Sequence, residues 1–251
     1  MKLEKQRKLR QALGIMILVG TLGVPLSSMA ASPSPITLGT QALTQKHYAQ
    51  AVQIFKAASQ TDQYKNSCEC RLGLGKSLCK LGATKPANSP EQKETYKAAV
   101  KELRTAVKLG KGSGNAQEAN VIMLSLPKSL TAPKMGADTP MIAMANGIRG
   151  MDRGGAGPVP KVLQFSAPWC EPCKQLDGII KKAKAEYADK VDFISYNIDD
   201  PSSEKVVEDY EVSPIPTLIF LDTSNQVVTY SVGFSGENGL KAGMKKILPP
   251  A

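Results

Sequence analysis

Two cysteines separated by two residues carry the clearest chemistry in this sequence. Cys170 and Cys173 follow an apolar run at 161–165, which predicts a buried strand, and precede residues 175–190, which predict a helix. Cysteines at this spacing can close a disulfide across one helical turn. The first sulfur then lies at the positive end of the helix dipole, which favours thiolate over thiol. The pair therefore predicts thiol–disulfide exchange.

The segments around the pair predict an α/β sheet. Four apolar or alternating segments have the length and pattern of strands, at 162–165, 191–198, 217–221 and 226–232. Three further segments have helical periodicity, at 171–187, 202–210 and 236–248. Strands and helices in this order predict a mixed sheet with helices on both faces.

Motifs that begin at the cysteines and continue downstream resemble those of the thioredoxin family. In the family's order and at similar spacing, the sequence carries Trp169-Cys170-Glu171-Pro172-Cys173-Lys174, Asn197-Ile198-Asp199, Ile215-Pro216-Thr217 and Gly233. The resemblance covers residues 158–249. It implies an α/β thioredoxin-like C-terminal domain at 158–251, in which a mixed sheet is flanked by helices.

The resemblance also implies roles for individual residues. Cys170 is the exposed nucleophile that forms a mixed disulfide with the substrate, and Cys173 is the more buried thiol that resolves it. The Ile215–Pro216 bond is cis and packs against the cysteine pair, and the backbone before the proline is offered to a substrate chain as an extra strand. The substrate groove is flanked by Trp169 and Gly233.

The residues between the cysteines depart from the common thioredoxin pattern. Glu171 and Pro172 stand where Gly-Pro is usual. A carboxylate beside Cys170 opposes its thiolate, which favours the disulfide and makes the dithiol a better reductant. The helix N-terminus stabilises Glu171 and solvent screens the pair, so these effects act in the opposite direction. We therefore expect a reductant, and leave open whether Glu171 strengthens or weakens the reducing power of the pair.

A second departure concerns proton transfer. Gln164 stands where many thioredoxins have a buried aspartate, and Ser195 replaces its usual lysine neighbour. Because the usual aspartate and lysine are both absent, no buried charge is left without a partner. Because Gln164 cannot act as a base, the hypothesis is that Glu171 or a water molecule takes the proton.

A zinc site is the alternative interpretation of the cysteine pair. Zinc needs two further ligands. The chain has one histidine, and its other three cysteines lie far from the pair in sequence. We therefore expect no metal, and no cofactor beyond the redox-active disulfide Cys170–Cys173.

The N-terminal residues 1–30 predict a signal peptide. Residues 1–11 are rich in lysine and arginine, residues 12–26 are apolar, and Ser28-Met29-Ala30 fits a small-x-small cleavage pattern. The chain is therefore expected to be exported to the periplasm or another extracytoplasmic space. An uncleaved N-terminal membrane anchor is the alternative.

Residues 31–126 predict an all-α N-terminal domain of short helical repeats. Two units share a Leu-Gly pair followed by a large apolar residue between two alanines: Leu38-Gly39 with Ala51, Phe55 and Ala58, and Leu72-Gly73 with Ala99, Leu103 and Ala106. This pattern resembles the tetratricopeptide repeat, whose groove binds peptides or proteins; a plain helical domain is the alternative. A polar insertion at 82–95 lengthens the second turn, and 117–126 predict a capping helix.

A linker at 127–157 joins the two predicted domains. It is rich in proline, glycine, alanine and methionine. Within it, residues 141–144 are open to two interpretations: an extra first strand of the C-terminal domain, or an apolar patch at the domain junction.

Three further cysteines, Cys68, Cys70 and Cys79, fall on one predicted helix. Residues 68 and 70 point to different sides, and Cys79 lies about 16 Å from Cys68 along the axis at 1.5 Å per residue. No pair within a straight helix meets disulfide geometry. We interpret them as small apolar core residues; the alternatives are a thiol that partners Cys170, or an intermolecular bridge.

Together these features predict an extracytoplasmic thiol–disulfide oxidoreductase with a helical module for partner binding. Its expected substrates are protein disulfides or dithiols, with reduction favoured over oxidation or isomerisation, and its expected electron donor is a membrane thiol transporter. A redox-regulated interaction or assembly protein is the rival function. The formal net charge is +10, but the lysines at 181, 182 and 184 have no interleaved aromatic residues, so no nucleic-acid partner is expected.

Overall fold

The computed structural model describes residues 32–133 and 159–248. The predicted signal peptide lies outside the described residues, as do residues 134–157 of the predicted linker, including 141–144. None of the helices in the two described ranges is long and apolar enough to cross a membrane.

Six helices form the first part of the structure, residues 35–131, here called the helical region. They are α1 Pro35–Thr44, α2 Tyr48–Ala58, α3 Cys68–Ala83, α4 Pro90–Gly110, α5 Gly114–Ser125 and the short α6 Lys128–Thr131. The predicted capping helix at 117–126 corresponds to α5. Whether the first two helix pairs are tetratricopeptide-like stays a prediction.

Serine residues begin four of these helices. The hydroxyls of Ser34, Ser67, Ser89 and Ser113 each accept a hydrogen bond from the backbone N–H three residues later, which satisfies a donor that the helix itself leaves free. Because Ser89 caps α4, only residues 84–89 form the turn between α3 and α4. The predicted turn insertion at 82–95 is therefore too long, since most of it is helix.

The helices pack closely through glycine. The ring of Phe55 lies between Gly39 and Gly73, and the side chain of Leu103 lies on Gly75. A Cβ atom added at Gly39 would stand 2.6 Å from the Phe55 ring, so α1 can approach α2 this closely only with glycine there. The alanines of both predicted triads are buried with Phe55 and Leu103.

The second part of the structure, residues 159–248, is here called the sheet region. Its elements are β1 Lys161–Ser166, α7 Glu171–Glu186, β2 Asp192–Asn197, a 3-10 turn Pro201–Ser203, α8 Glu204–Asp209, β3 Thr217–Leu221, β4 Val227–Val232 and α9 Gly236–Ile247. The strand order is β2-β1-β3-β4. β1 and β2 are parallel, and the other two pairs are antiparallel.

Apolar side chains cover both faces of this sheet, because alternate residues of a strand point to opposite sides. On one face Val162, Leu218 and Phe220 pack with residues of α7 and α9. On the other face Phe165 and Ile219 pack with α8 and with the cysteine pair. The predicted mixed sheet with helices on both faces is confirmed. Element bounds differ from the predicted ones by at most two residues, except that the prediction of 175–190 for the helix after the cysteines is four residues late at both ends.

Candidate functional site

Cys170 and Cys173 form a disulfide where the loop after β1 enters α7. Their sulfurs are 2.14 Å apart and their Cα atoms 5.2 Å apart. Cys170 is the N-cap residue in an extended conformation, so α7 begins at Glu171. The carbonyl of Cys170 accepts from the backbone N–H of Cys173 at 3.0 Å and of Lys174 at 3.3 Å. Cys170 therefore lies at the N-terminus of a helix, where the helix dipole favours a thiolate.

A second loop meets the disulfide from β3. The Ser213–Pro214 and Ile215–Pro216 peptide bonds are both cis. Ile215 is buried in the same apolar cluster as Cys170 and Cys173. The Pro216 carbonyl accepts from the Gly233 N–H at 2.8 Å, which ties the loop to the end of β4. Glycine suits this position, because its φ is +81°.

Trp169 is fixed by an acidic residue at the end of β2. Its indole Nε1–H donates to Asp199 Oδ2 at 2.7 Å. Asp199 is in turn held by its own backbone N–H, which donates to Asn197 Oδ1 at 3.1 Å. The sequence placed Asp199 in a motif but assigned it no role; the structure makes it the partner of the indole beside the cysteines.

Gln164 of β1 lies at the centre of a polar link between α7 and β2. It is 3 % exposed. Its Nε2 donates to Asp177 Oδ1 at 2.5 Å, and its Oε1 accepts from Ser195 Oγ at 3.2 Å. Asp177 was missed in the sequence, although it follows Cys173 by four residues on α7, where Cβ atoms lie about 5–6 Å apart. Gln164 therefore has polar partners on both sides.

Glu171 points away from this link. Its carboxylate accepts from Lys174 Nζ at 2.9 Å, and its side chain is 71 % exposed. Pro172 lies in the first turn of α7. Glu171 and Asp177 are both exposed residues, but their partners differ: Glu171 pairs with a lysine at the surface, and Asp177 accepts from the buried amide of Gln164.

The helical region covers the residues predicted to form the substrate groove. Asn120 of α5 makes two hydrogen bonds with the backbone of Ile215. Gly112, just before α5, lies against the Trp169 indole, and Leu124 lies beside Gly233. Asn120 was missed because its partner is a backbone group, which has no signature in the sequence.

The expectation of an exposed Cys170 is wrong. Cys170 is 2 % exposed and Cys173 is 1 % exposed. The physical reason is the cover just described: Trp169 packs against the apolar cluster of α4 and α5, and Ile215 is bonded to α5. Trp169 and Ile215, which lie beside the disulfide, are therefore both covered by helices of the same chain.

Ion pairs surround this contact between the two regions. Lys108 of α4 bonds Glu204 at 2.5 Å and Glu208 at 2.7 Å, and Arg104 bonds Glu211 at 3.2 Å. The carboxylates raise the pKa of Lys108, and Lys108 lowers the pKa of Glu204. A cleft of about 520 Å³ runs between α4 and α8 beside these pairs.

The three remaining cysteines are free thiols. Cys70 is fully buried. The Cys68 thiol donates to the Ala106 carbonyl at 3.1 Å, and burial raises the pKa of Cys79 to about 11. In residues 32–133 and 159–248, no group of three or more potential ligands is placed to hold a metal ion.

Comparison with known proteins gives one family and several relatives. The family model for thioredoxin matches residues 158–246. The thiol:disulfide interchange protein TxlA of Synechococcus elongatus is 33% identical over 89 residues, which are 36% of this chain and 47% of that protein. The chloroplastic thioredoxin-like protein HCF164 of Arabidopsis thaliana is 33% identical over 95 residues, which are 35% of this chain and 36% of that protein.

A shorter relative is matched over most of its length. Thioredoxin of Bacillus subtilis is 33% identical over 87 residues, which are 35% of this chain and 81% of that protein. By contrast, the chain spans less than half the length of the TxlA and HCF164 proteins. All of these matches involve about a third of this chain.

Proposed function

The chain belongs to the thioredoxin family, and from this premise we propose that it is a thiol–disulfide oxidoreductase that reduces protein disulfides through Cys170 and Cys173. The observation that carries the proposal is the disulfide at the start of α7, packed with Ile215 in one cluster. TxlA, a relative of the same domain, is named a thiol:disulfide interchange protein.

The proposed reaction begins with the reduced pair. The Cys170 thiolate attacks one sulfur of a substrate disulfide, the substrate S–S bond breaks, and the released substrate thiolate takes a proton. Cys173 then loses its proton and attacks Cys170, which forms the Cys170–Cys173 bond and releases the second substrate thiol. The substrate gains two electrons from the protein and two protons, one from Cys173 and one from the solvent that took the proton of Cys170. A dithiol donor restores the reduced pair by the reverse exchange.

The groove residues bind the substrate in this proposal. Trp169 and Gly233 flank the cysteine pair, and the backbone of Ile215 before Pro216 pairs with an extended substrate chain. Support comes from the packing of Ile215 in one cluster with the cysteine pair and from the hydrogen bond between the Pro216 carbonyl and the Gly233 N–H. Asp199 holds the Trp169 indole in place and is a positioning residue.

Proton transfer from Cys173 is the step for which two carboxylates compete. Glu171 is the acceptor that we propose from the sequence, acting directly or through water. Asp177 is the structural alternative, because it lies one turn after Cys173 and is bonded to the buried Gln164. Gln164 then orients Asp177 and takes no proton itself.

The location and the electron donor are part of the same proposal. We propose export through residues 1–30, with cleavage after Ala30, into the periplasm or another extracytoplasmic space. A dithiol in an oxidising compartment needs a source of electrons, and a membrane thiol transporter is the proposed donor. Mass spectrometry of the protein recovered after export tests the cleavage: an N-terminus at Ala31 supports it, and an intact residue 1 supports the membrane anchor.

The helical region is proposed to bind the protein partner. Its first two helix pairs bury the small and large residues of both predicted units, which supports a tetratricopeptide-like arrangement. The rival function, a redox-regulated interaction or assembly protein, is favoured by one observation: Cys170 is 2 % exposed. In that case the disulfide locks a bound client and does not turn over.

Reduction of insulin separates the two functions. The full-length protein, with dithiothreitol as electron source, should reduce insulin disulfides faster than dithiothreitol alone. Cys170→Ser should bring the rate back to that of dithiothreitol, and Cys173→Ser should accumulate a mixed disulfide with insulin. Cys79→Ser is the matched control and should keep full turnover. No turnover, together with client binding that changes on reduction, would establish the rival function.

A further inference from the structure

Asn120 pairs with the backbone of Ile215 as one strand pairs with another. Its Nδ2–H donates to the Ile215 carbonyl at 2.9 Å, and the Ile215 N–H donates to Asn120 Oδ1 at 2.9 Å. A carboxamide carries the same donor and acceptor as a peptide group. In an antiparallel sheet, two residues directly opposite each other exchange this same pair of bonds. Asn120 therefore makes the two bonds that a residue of an added strand would make.

The same segment covers the other residues around the cysteine pair. Gly112 has a φ of +84°, and an added Cβ there would lie 2.6 Å from Trp169 Cδ1. An added Cβ at Gly233 would lie 3.3 Å from Leu124 Cδ2. Met123 is fully buried, and its sulfur accepts from Ser213 Oγ at 3.3 Å. The stretch from Gly112 to Leu124 thus contacts both flanks and the centre of the groove.

We propose that α5 is an internal competitor for the substrate groove, in which Asn120 replaces the backbone of a substrate strand. The inference rests on the proposed function, because that function defines the groove. In the closed form Ile215 has no free N–H or carbonyl to offer. A substrate reaches Cys170 only after α5 has moved out of the groove.

Ion pairs at the edge hold the closed form in a second, independent way. Arg104 and Lys108 lie on successive turns of α4 and face Glu204, Glu208 and Glu211 of the sheet region. The side chains of Lys108, Glu204, Glu208 and Glu211 are more than half exposed. Salt and charge reversal weaken such pairs. Either change should therefore favour opening, although the residues of the groove stay the same.

The competitor sets which substrates react. When only a fraction of the molecules is open, the apparent affinity for substrate falls by that fraction. Polypeptides that pair with Ile215 and gain further contacts displace α5, whereas chains that gain only the two backbone bonds do not. Asn120 is therefore a specificity-determining residue, and a partner that binds the helical region and withdraws α5 would activate exchange.

The first test compares Asn120→Ala with Asn115→Ala in the full-length, oxidised protein. Asn115 lies on the same helix and makes neither bond to Ile215. The Cys170–Cys173 disulfide is reduced with a water-soluble phosphine, quenched in acid, alkylated and quantified by mass spectrometry, and insulin turnover is measured in parallel. Loss of two hydrogen bonds should speed phosphine reduction of Asn120→Ala by roughly tenfold, whereas Asn115→Ala should react like the wild type.

The two readouts separate failure of the inference from failure of the function. Equal phosphine rates for the wild type and both variants would overturn the inference, whatever the insulin rates are. A faster phosphine rate in Asn120→Ala without insulin turnover in any protein would support the cover by α5 and overturn the proposed function. Faster phosphine reduction together with faster insulin turnover supports both.

A charge reversal provides a test that leaves Asn120 in place. Arg104→Glu with Lys108→Glu should speed phosphine reduction, because both side chains then face three carboxylates. Adding Glu204→Lys, Glu208→Lys and Glu211→Lys restores opposite charges and should return the rate toward that of the wild type. Lys241→Glu, on α9 and paired with Glu237, is the control that should change nothing. A rate that does not respond to the reversal would contradict the proposed role of these pairs in holding α5 closed.

Discussion

The helical region and the sheet region fill their cores in different ways. In the helical region one ring, Phe55, lies directly on the backbone at Gly39 and Gly73. In the sheet region large side chains from the strands meet other large side chains on both faces of the sheet, and the Phe220 ring lies on the backbone at Gly243 of α9. Glycine therefore sets how closely several helices of the helical region approach one another, whereas in the sheet region it does so where α9 meets β3.

Because of this difference, the two regions should tolerate substitutions at different kinds of position. Close backbone contacts cannot relax around an added methyl group without moving a helix, whereas a layer of side chains can repack. The contact between the two regions, here called the joint, follows neither pattern. At its centre the side chain of Asn120 is bonded to the backbone of Ile215.

Two matched phenylalanines test whether the regions are stabilised separately. Phe55 and Phe220 are each 1 % exposed, and replacing either with alanine should cost about 3–5 kcal/mol. In hydrogen-exchange mass spectrometry, Phe55→Ala should lose protection in α1 to α3 and keep it in β1 and β3. Phe220→Ala should do the reverse. Loss of protection throughout both variants would show that the two regions unfold as one.

Two carboxylates test which group takes the proton in the sheet region. If Glu171 is the acceptor, Glu171→Gln should slow insulin turnover on the order of 10²-fold and flatten its pH profile. Asp177→Asn keeps the size of the side chain and its contact with Gln164, and serves as the comparison. An unchanged profile in Glu171→Gln with a changed one in Asp177→Asn would transfer the role to Asp177.

Two helical glycines sharpen the contrast between close and open packing. Gly39→Ala places a methyl group 2.6 Å from the Phe55 ring, and such overpacking should destabilise the protein by about 1–3 kcal/mol. Gly178 of α7 has nothing within 4 Å of an added Cβ, so Gly178→Ala should stabilise it by up to about 1 kcal/mol. Urea unfolding measures both. Equal effects would show that the Phe55 ring does not exclude a side chain at residue 39.

Acid should loosen the joint by a small amount. Lys108 lowers the pKa of Glu204 below its ordinary value of 4.5, so the pair contributes fully above pH 4.5 and is lost as pH falls through the folded-state value. At neutral pH, phosphine should reduce the disulfide faster in Lys108→Met than in the wild type, and the two rates should converge in acid. Circular dichroism checks that both proteins stay folded. A ratio that does not change with pH would exclude a role for the pair.

Much of each region follows from its own sequence. The period of the apolar residues predicted the order and type of the strands and helices in the sheet region and most of their bounds to within two residues, and the spacing of Cys170 and Cys173 predicted their disulfide. In the helical region, alanines around Phe55 and Leu103 predicted which residues are buried. These features are local, because each depends on residues a few positions apart on one element.

The joint could not be predicted in the same way. Asn120 bonds the backbone of Ile215, 95 positions away, and a backbone group is the same at every residue, so no side chain identifies it. The ion pairs left a weak signal: Arg104 and Lys108 are four residues apart on one helix, and so are Glu204 and Glu208 on another. That spacing predicts that each helix has a face of one charge. It does not predict which other element that face contacts.

Trp169 is the only tryptophan of the chain, and it lies at this joint. Its indole is bonded to Asp199 of the sheet region and touches Gly112 of the helical region. The molecule therefore carries one tryptophan, whose emission can be excited separately from that of its seven tyrosines and whose surroundings change when the two regions separate. The wavelength and intensity of its emission should report opening in unlabelled protein, in real time and at nanomolar to micromolar concentration.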